Sequence, residues 1–307
     1  SGSSFNACMS VKYALRDLLD KNVEVFTAHT FKYYELDKFK DKFILVVSQG
    51  GKSTNCIDLV DSLKAKGING AVLTSNVESE IGKHSYKVFD YGIGIETVGY
   101  VTRGYVGLIV FLLNFAINYG NKSLSDEFIT SLKKDMESAH DIFVNIVNRS
   151  TDLYQRDKKD MLSTKIVHIV SSGDSLGLAR EASLKISETT KIPAMYFEVE
   201  EYLHGPNLQL TPDYTIAIID NLDETSDREY ELFKALKQVT DKCYFITDRQ
   251  VEYEKVINVR YENKLTRLIY HIVPFQLFSY YVTETMGTWK THPLMEKFDE
   301  SIVSKAK

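Results

Sequence analysis

The chain has 307 residues, 44% hydrophobic and 26% charged, the mix of a soluble globular protein with room for two domains. Its 37 Lys and Arg against 42 Asp and Glu leave a net charge of −5, which argues against a general nucleic-acid binder. Cys8, Cys56 and Cys243 form no CxxC or His-spaced pattern, so they read as small buried thiols in a reducing cytoplasm, with no metal or cofactor site in view.

In chain order, Ser1-Gly-Ser-Ser4 reads as a small-residue loop that should follow a strand, so a preceding strand is expected to be missing. The pattern then predicts helix 5–20, strands 23–27 and 42–48, helix 53–66, and strands 70–75 and 86–90. The continuous apolar run Ile44–Val47 suits a strand buried on both faces, and strands alternating with helices imply parallel βαβ units. Helices follow at 101–119 and 125–149. The apolar stretch from Tyr105 to Phe115 is too short to span a membrane and is interrupted by Asn114. A charged run, Asp157-Lys-Lys-Asp160, reads as an exposed join between domains 1–150 and 151–307. The second half predicts strand 166–171, helix 175–189, strands 193–199 and 214–219, helix 225–239, strands 242–247 and 256–260, and helix 265–286. Pro274 should kink or restart that last helix. The tail 287–307 has little periodicity and is long enough to fold over something.

The halves repeat. Laying residue 1 on residue 172 sets Gly2 on Gly173, Ser4 on Ser175, and Phe43–Val47 on Tyr214–Ile218. One unit used twice implies two like domains around a pseudo-twofold axis. Their chemistry has diverged. The first copy ends its buried strand in Ser48-Gln-Gly-Gly-Lys-Ser-Thr54, where two glycines permit a tight turn and a helix start offers unpaired N–H groups to an anion. It is not a nucleotide P-loop, and taken alone it could equally be an ordinary βα turn with a serine cap. A second small-residue loop at Ser3 and Ser4, expected beside it at the strand ends, favours phosphate. The second copy has Asp220-Asn-Leu-Asp-Glu224 there, which would repel a phosphate.

The second copy instead carries Glu181, Lys185 and Glu188 at i, i+4 and i+7 on one helix face. The plainer alternative is a solvated salt-bridge ladder. His204 follows a strand end and is held on a loop by Gly205-Pro206. Glu96, in the approach to the apolar helix, could face the same crevice, or that approach could serve only to cap the helix.

These segments together resemble the sugar isomerase (SIS) family. The likeness is closest to the two-domain isomerase half of glucosamine-6-phosphate synthase and to the fructosamine-6-phosphate deglycases. The resemblance runs over essentially the whole chain. It implies an α/β protein of two SIS domains, each a parallel five-stranded sheet between helix layers. The family's SQSGE[ST] phosphate loop matches Ser48, Gln49, Gly50 and Ser53, its E…K..E helix matches Glu181, Lys185 and Glu188, and its HGP turn matches His204. It implies that Glu188 shuttles a proton between C1 and C2 and that His204 assists as acid. It also implies a cytoplasmic homodimer in which the His204 loop enters the neighbouring subunit. In this sequence Gly50 and Lys52 replace the usual serine and acidic residue of the loop. Counted without a gap, the synthase's Schiff-base lysine falls on Phe298, with Lys297 one residue off and Glu300 or Ser301 reached by a small gap. A ketosamine substrate needs no such lysine. The expected activity is therefore release of an amine or ammonia from a 6-phosphorylated ketosamine or aminosugar, with no cofactor. Aldose–ketose isomerisation and a non-catalytic sugar-phosphate sensor are the rivals.

Overall fold

The computed structural model describes residues 1–85, 87–120 and 123–306. The chain divides into two compact units. The first comprises Ser1–Cys8, Glu24–Phe111 and Lys290–Lys307, and the second Met9–Val23 and Leu112–Trp289. Both are α/β units with parallel sheets flanked by helices.

The first unit's sheet has three parallel strands among the described residues, β1 (Ile44–Val47), β2 (Gly70–Thr74) and β3 (Val88–Asp90), in that order. Tyr86, the first residue of the strand expected at 86–90, and Lys307, the last of the tail, lie outside the described residues. The expected five strands are not reached. The segment 23–27 forms no strand and ends with the Thr27 side chain accepting from the Thr30 N–H. Its counterpart in the repeat is held by a neighbouring strand, and a sheet edge without such a neighbour leaves an extended segment unladdered. The core of this unit gathers Phe31, Val46, Leu59, Val72 and Ile81.

The second unit's sheet does have five parallel strands: β4 (Val167–Ser171), β5 (Ala194–Glu198), β6 (Thr215–Ile219), β7 (Cys243–Thr247) and β8 (Val256–Asn258). Their order is β5-β4-β6-β7-β8. The sequence runs outward from β4 in both directions, so the strand order reverses between β4 and β6, the point at which open α/β sheets place a crevice. β4 and β7 are buried along their full length, β4 even at His168 and Ser171. Phe233 and Phe245 stack in the core at 4.9 Å between ring centres.

Several helices differ from the sequence expectation. Helix 5–20 is two helices, Gly2–Met9 and Lys12–Leu19, so Ser3 and Ser4 sit in a first helical turn rather than a loop. The break falls where Ser10 meets Gly177, whose added Cβ would lie 2.4 Å from the Ser10 nitrogen. Helix 125–149 is likewise divided into Asp126–Glu137 and Ala139–Ser163. The second of these runs through the expected boundary at 150 and through Asp157–Asp160, which is helix and not an exposed loop. Asp157 is only 7% exposed, because Arg156 at 2.8 Å and Lys255 at 3.9 Å supply the opposite charge that admits a carboxylate to the interior. The last long helix restarts at Val273, with Pro274 in its first turn, where a missing N–H breaks no helical bond. The tail forms helix Leu294–Ser301 and then returns to the first unit's loop, where Lys305 bridges Ser53 in antiparallel fashion.

Candidate functional site

In the first unit, β1 ends at Val47 and the loop Ser48–Ser53 leads into helix Thr54–Ala65. Ser48 is buried, Gln49 and Ser53 are half-buried, and Gly50 is exposed. The loop is pinned from beneath. The Gln49 carbonyl accepts from the Thr74 and Ser75 hydroxyls and from the Ser75 N–H, at 2.9 to 3.0 Å. The Gly51 carbonyl accepts the Ile81 N–H at 2.9 Å. Gly51 has φ +63°, and a Cβ there would lie 1.9 Å from Ser79 Oγ, so only glycine fits. Asn55 Nδ2 donates to Ser1 Oγ at 3.1 Å, which sets the first small-residue segment beside this helix start.

The side chain of Gln49 donates from Nε2 to Glu96 Oε2 at 2.8 Å. Glu96 also caps helix Arg103–Tyr119, with Oε1 accepting from the N–H groups of Thr102 and Arg103 at 2.9 and 2.8 Å and from Thr102 Oγ1 at 3.0 Å. Partial burial pushes the Glu96 carboxyl up, but the donors from Thr102, Gln49 and Arg103 together outweigh it and hold it below the usual range.

In the second unit, helix Ser175–Thr190 presents Glu181, Lys185 and Glu188 along one face. The face is not a solvated ladder. Glu181 is fully buried and Lys185 is 2% exposed, while Glu188 keeps about a third of its side chain open. Lys185 Nζ lies 3.6 Å from Glu181 Oε1 and hydrogen-bonds Glu188 Oε1. A buried ammonium between two carboxylates holds both in place along the helix face.

His204 is exposed and does not pair with Glu188; its Nδ1 meets the Glu200 carbonyl at 2.7 Å. A carbonyl only accepts, so Nδ1 carries the proton and Nε2 is left with a lone pair in the neutral ring. Gly205, at φ +147°, turns the chain after it into the short helix Pro206–Gln209.

Where the first unit has its glycine loop, the second has buried carboxylates. Asp220 accepts from the Leu222 N–H and the hydroxyls of Ser226 and Thr247, and Glu229 accepts the Asn221 N–H at 2.7 Å. Internal acids occupy the donors that an anion would take. The tail, expected from its length to fold over something, lies on the first unit's loop: its Ser304 carbonyl accepts the Thr54 N–H at 3.2 Å and its Ala306 N–H bonds the Lys52 carbonyl at 2.7 Å. Sequence reasoning gave no sign of which segment it would meet, and it missed Gly104, where an added Cβ would lie 2.1 Å from Gln49 Nε2. A lone glycine in a first helical turn was the available signal for the latter.

The SIS domain family matches residues 1–115. A glutamine–fructose-6-phosphate aminotransferase [isomerizing] of Clostridium perfringens strain 13 is 25% identical over 297 residues, 93% of this chain and 48% of that protein. The chain thus spans about half the length of the curated relatives it matches. Among solved structures, a candidate phosphosugar isomerase of Clostridium difficile 630 is 26% identical with TM-score 0.85, covering 100% of this chain and 88% of the other. The glucosamine-6-phosphate deaminase of Thermotoga maritima shares the fold with TM-score 0.77 at 16% identity, over 94% of this chain and 85% of the other. The chain therefore carries an SIS domain over residues 1–115 and is homologous, over most of its length, to part of the glutamine–fructose-6-phosphate aminotransferases.

Proposed function

We propose that this protein is a cytoplasmic SIS enzyme that releases an amine or ammonia from a 6-phosphorylated ketosamine or aminosugar. Residues 1–150 and 151–307 are the two SIS copies in this reading. The Ser48–Ser53 loop, with Ser3 and Ser4, takes the phosphate, and Glu188 moves the proton. The observation that carries it is the Glu181–Lys185–Glu188 row: a buried ammonium holding a carboxylate that remains open on one side. Isolated surface ladders have no reason to bury their lysine.

The chemistry follows from the substrate's own groups. With a ketosamine, Glu188 takes the C1 proton while the C2 carbonyl accepts the electrons, and returns it to C2. The product is an imine at C1; water adds to it, and the amine leaves as the aldehyde forms. His204 Nε2, once protonated, serves as the acid for the departing nitrogen, with its loop reaching a second copy of the chain in a homodimer. Counted without a gap, Phe298 stands where the resemblance implies a Schiff-base lysine, and it lies exposed in the tail helix. A substrate that already contains nitrogen needs no such lysine.

The isomerase name of the 26%-identical structure favours a second reading, in which the same proton transfer converts an aldose phosphate to a ketose phosphate. An assay for free amine and free hexose phosphate, run on fructosamine 6-phosphates and glucosamine 6-phosphate, separates the two. Amine release abolished by Glu188→Gln supports the first, and an isomerised sugar with no amine supports the second. Tight binding with no turnover would make the protein a sensor and sink both.

A further inference from the structure

We propose that Glu96 and Gly104 are positioning residues for Gln49, acting on a bound phosphate only through its amide; the inference rests on the phosphate reading of the Ser48–Ser53 loop. Glu96 has no acceptor capacity left for a ligand. An ionised carboxylate offers about four lone-pair sites. Here Oε1 accepts from Thr102 N–H, Thr102 Oγ1 and Arg103 N–H, and Oε2 accepts from Gln49 Nε2 and, at 3.1 Å, from Gly104 N–H. A sugar hydroxyl would have to displace one of these donors. The carboxylate instead joins a helix start to one loop side chain.

The bond to Glu96 decides which way the Gln49 amide faces. Nε2 must point at the carboxylate, since Oε1 there would set acceptor against acceptor. One N–H is spent on Glu96, and the second stays on the same nitrogen as a donor of fixed direction, the polarity that an anion requires. Gly104 supplies the floor. A Cβ on it would fall 2.1 Å from Nε2 and 2.3 Å from both Cδ and Oε1 of Gln49, so the amide lies flat on the bare Cα. The glycine is required by this contact and not by its backbone, because Gly104 lies in the helix Arg103–Tyr119 at an ordinary negative φ.

Gly104→Ala is therefore the deciding variant. Alanine suits a helix better than glycine, and the clash falls on the end of a flexible side chain, so the fold should keep its melting temperature while the Gln49 amide is pushed aside. Glu96→Gln also strips the helix cap and serves as the second variant. The probe is fructose 6-phosphate, titrated calorimetrically into the full chain and its variants. Gly104→Ala should weaken binding on the order of tenfold, the worth of a hydrogen bond to a charged group. In a Gln49→Ala background the same change should shift affinity by less than about twofold, because nothing remains for it to displace. Equal losses in both backgrounds, or no loss on Gly104→Ala or Gln49→Ala alone, overturn the proposal and leave the phosphate site standing. A wild-type chain that binds neither fructose 6-phosphate, glucose 6-phosphate nor inorganic phosphate overturns the phosphate reading itself, and the positioning role with it.

Discussion

The Asp174 carboxylate accepts the backbone N–H of Tyr13 at 2.8 Å and that of Ala14 at 3.0 Å. It thereby caps helix Lys12–Leu19, whose own preceding residue, Val11, has no side chain able to do so. Asp174 is 4% exposed, and burial pushes its carboxyl up to about 6, against the lowering effect of those two N–H groups and of Arg267. A folded-state value above the unfolded one means that stability is greatest below the unfolded value and is lost as pH rises through the folded one. The window therefore runs from about pH 4 to about pH 6. Wild type should lose on the order of 3 kcal/mol relative to Asp174→Asn across it, by urea unfolding at fixed ionic strength. A difference that stays flat from pH 4 to pH 7 would show that the carboxylate ionises as freely as in the unfolded chain.

Lys185 makes a different electrostatic prediction. Its ammonium is the counter-charge for Glu181, which is fully buried and cannot turn to solvent. Lys185→Met should therefore cost about 3–5 kcal/mol, the usual result of stranding one member of a buried pair. Adding Glu181→Gln should restore much of that, since a neutral amide beside a thioether strands no charge. Glu188→Gln should cost under about 1 kcal/mol, its carboxylate being partly open to water. Denaturant midpoints of the four chains decide the matter, and equal losses from Lys185→Met and the double variant would refute it.

How much of this was legible beforehand depended on whether the cause was local. The second unit's strands could be read because burial on both faces leaves them mostly apolar, as at β4 and β7. Segment 23–27 is also rich in β-formers, but a strand needs a neighbour's ladder, which local composition does not encode. Asp157 misled for the same reason: its four-residue run is charged, but Lys255, nearly a hundred residues on, helps to draw it inside. The helical spacing of Glu181, Lys185 and Glu188 placed them on one face without telling which of them was buried. The Gln49–Glu96 bond, 47 residues apart, was out of reach of any periodicity.

The tail's docking gives a prediction by amide exchange. Its last segment is held to the loop by the Ala306 N–H on the Lys52 carbonyl and by the Thr54 N–H on the Ser304 carbonyl. Ala306→Pro deletes the first donor and leaves the second in place. Losing about 1 kcal/mol of docking should raise exchange at Thr54 by about fivefold, with the strand amides of β1 and β2 unchanged. Unaltered exchange at Thr54 would mean that its protection comes from the helix start alone.

Gly51 tests the loop that the functional reading depends on. Two penalties meet there: the left-handed φ of +63°, which an L side chain resists, and the 1.9 Å approach that a Cβ would make to Ser79 Oγ. The first should cost on the order of 1 kcal/mol and the second more, because Ser79 is itself held by its hydroxyl on the Asn76 carbonyl at 2.5 Å and cannot step back freely. Gly51→Ala should thus destabilise the chain by about 2–3 kcal/mol. Gly51→Ala with Ser79→Gly removes the collision and keeps the strained φ, so it should recover the larger share. Because the Gly51 carbonyl also receives the Ile81 N–H, any shift that relieves the clash moves the turn away from the helix Glu80–His84 that anchors it. Fructose 6-phosphate affinity should consequently fall further in the single variant than in the double one. The opposite ranking would mean that the glycine serves the fold alone and that the turn's shape is irrelevant to what the loop binds.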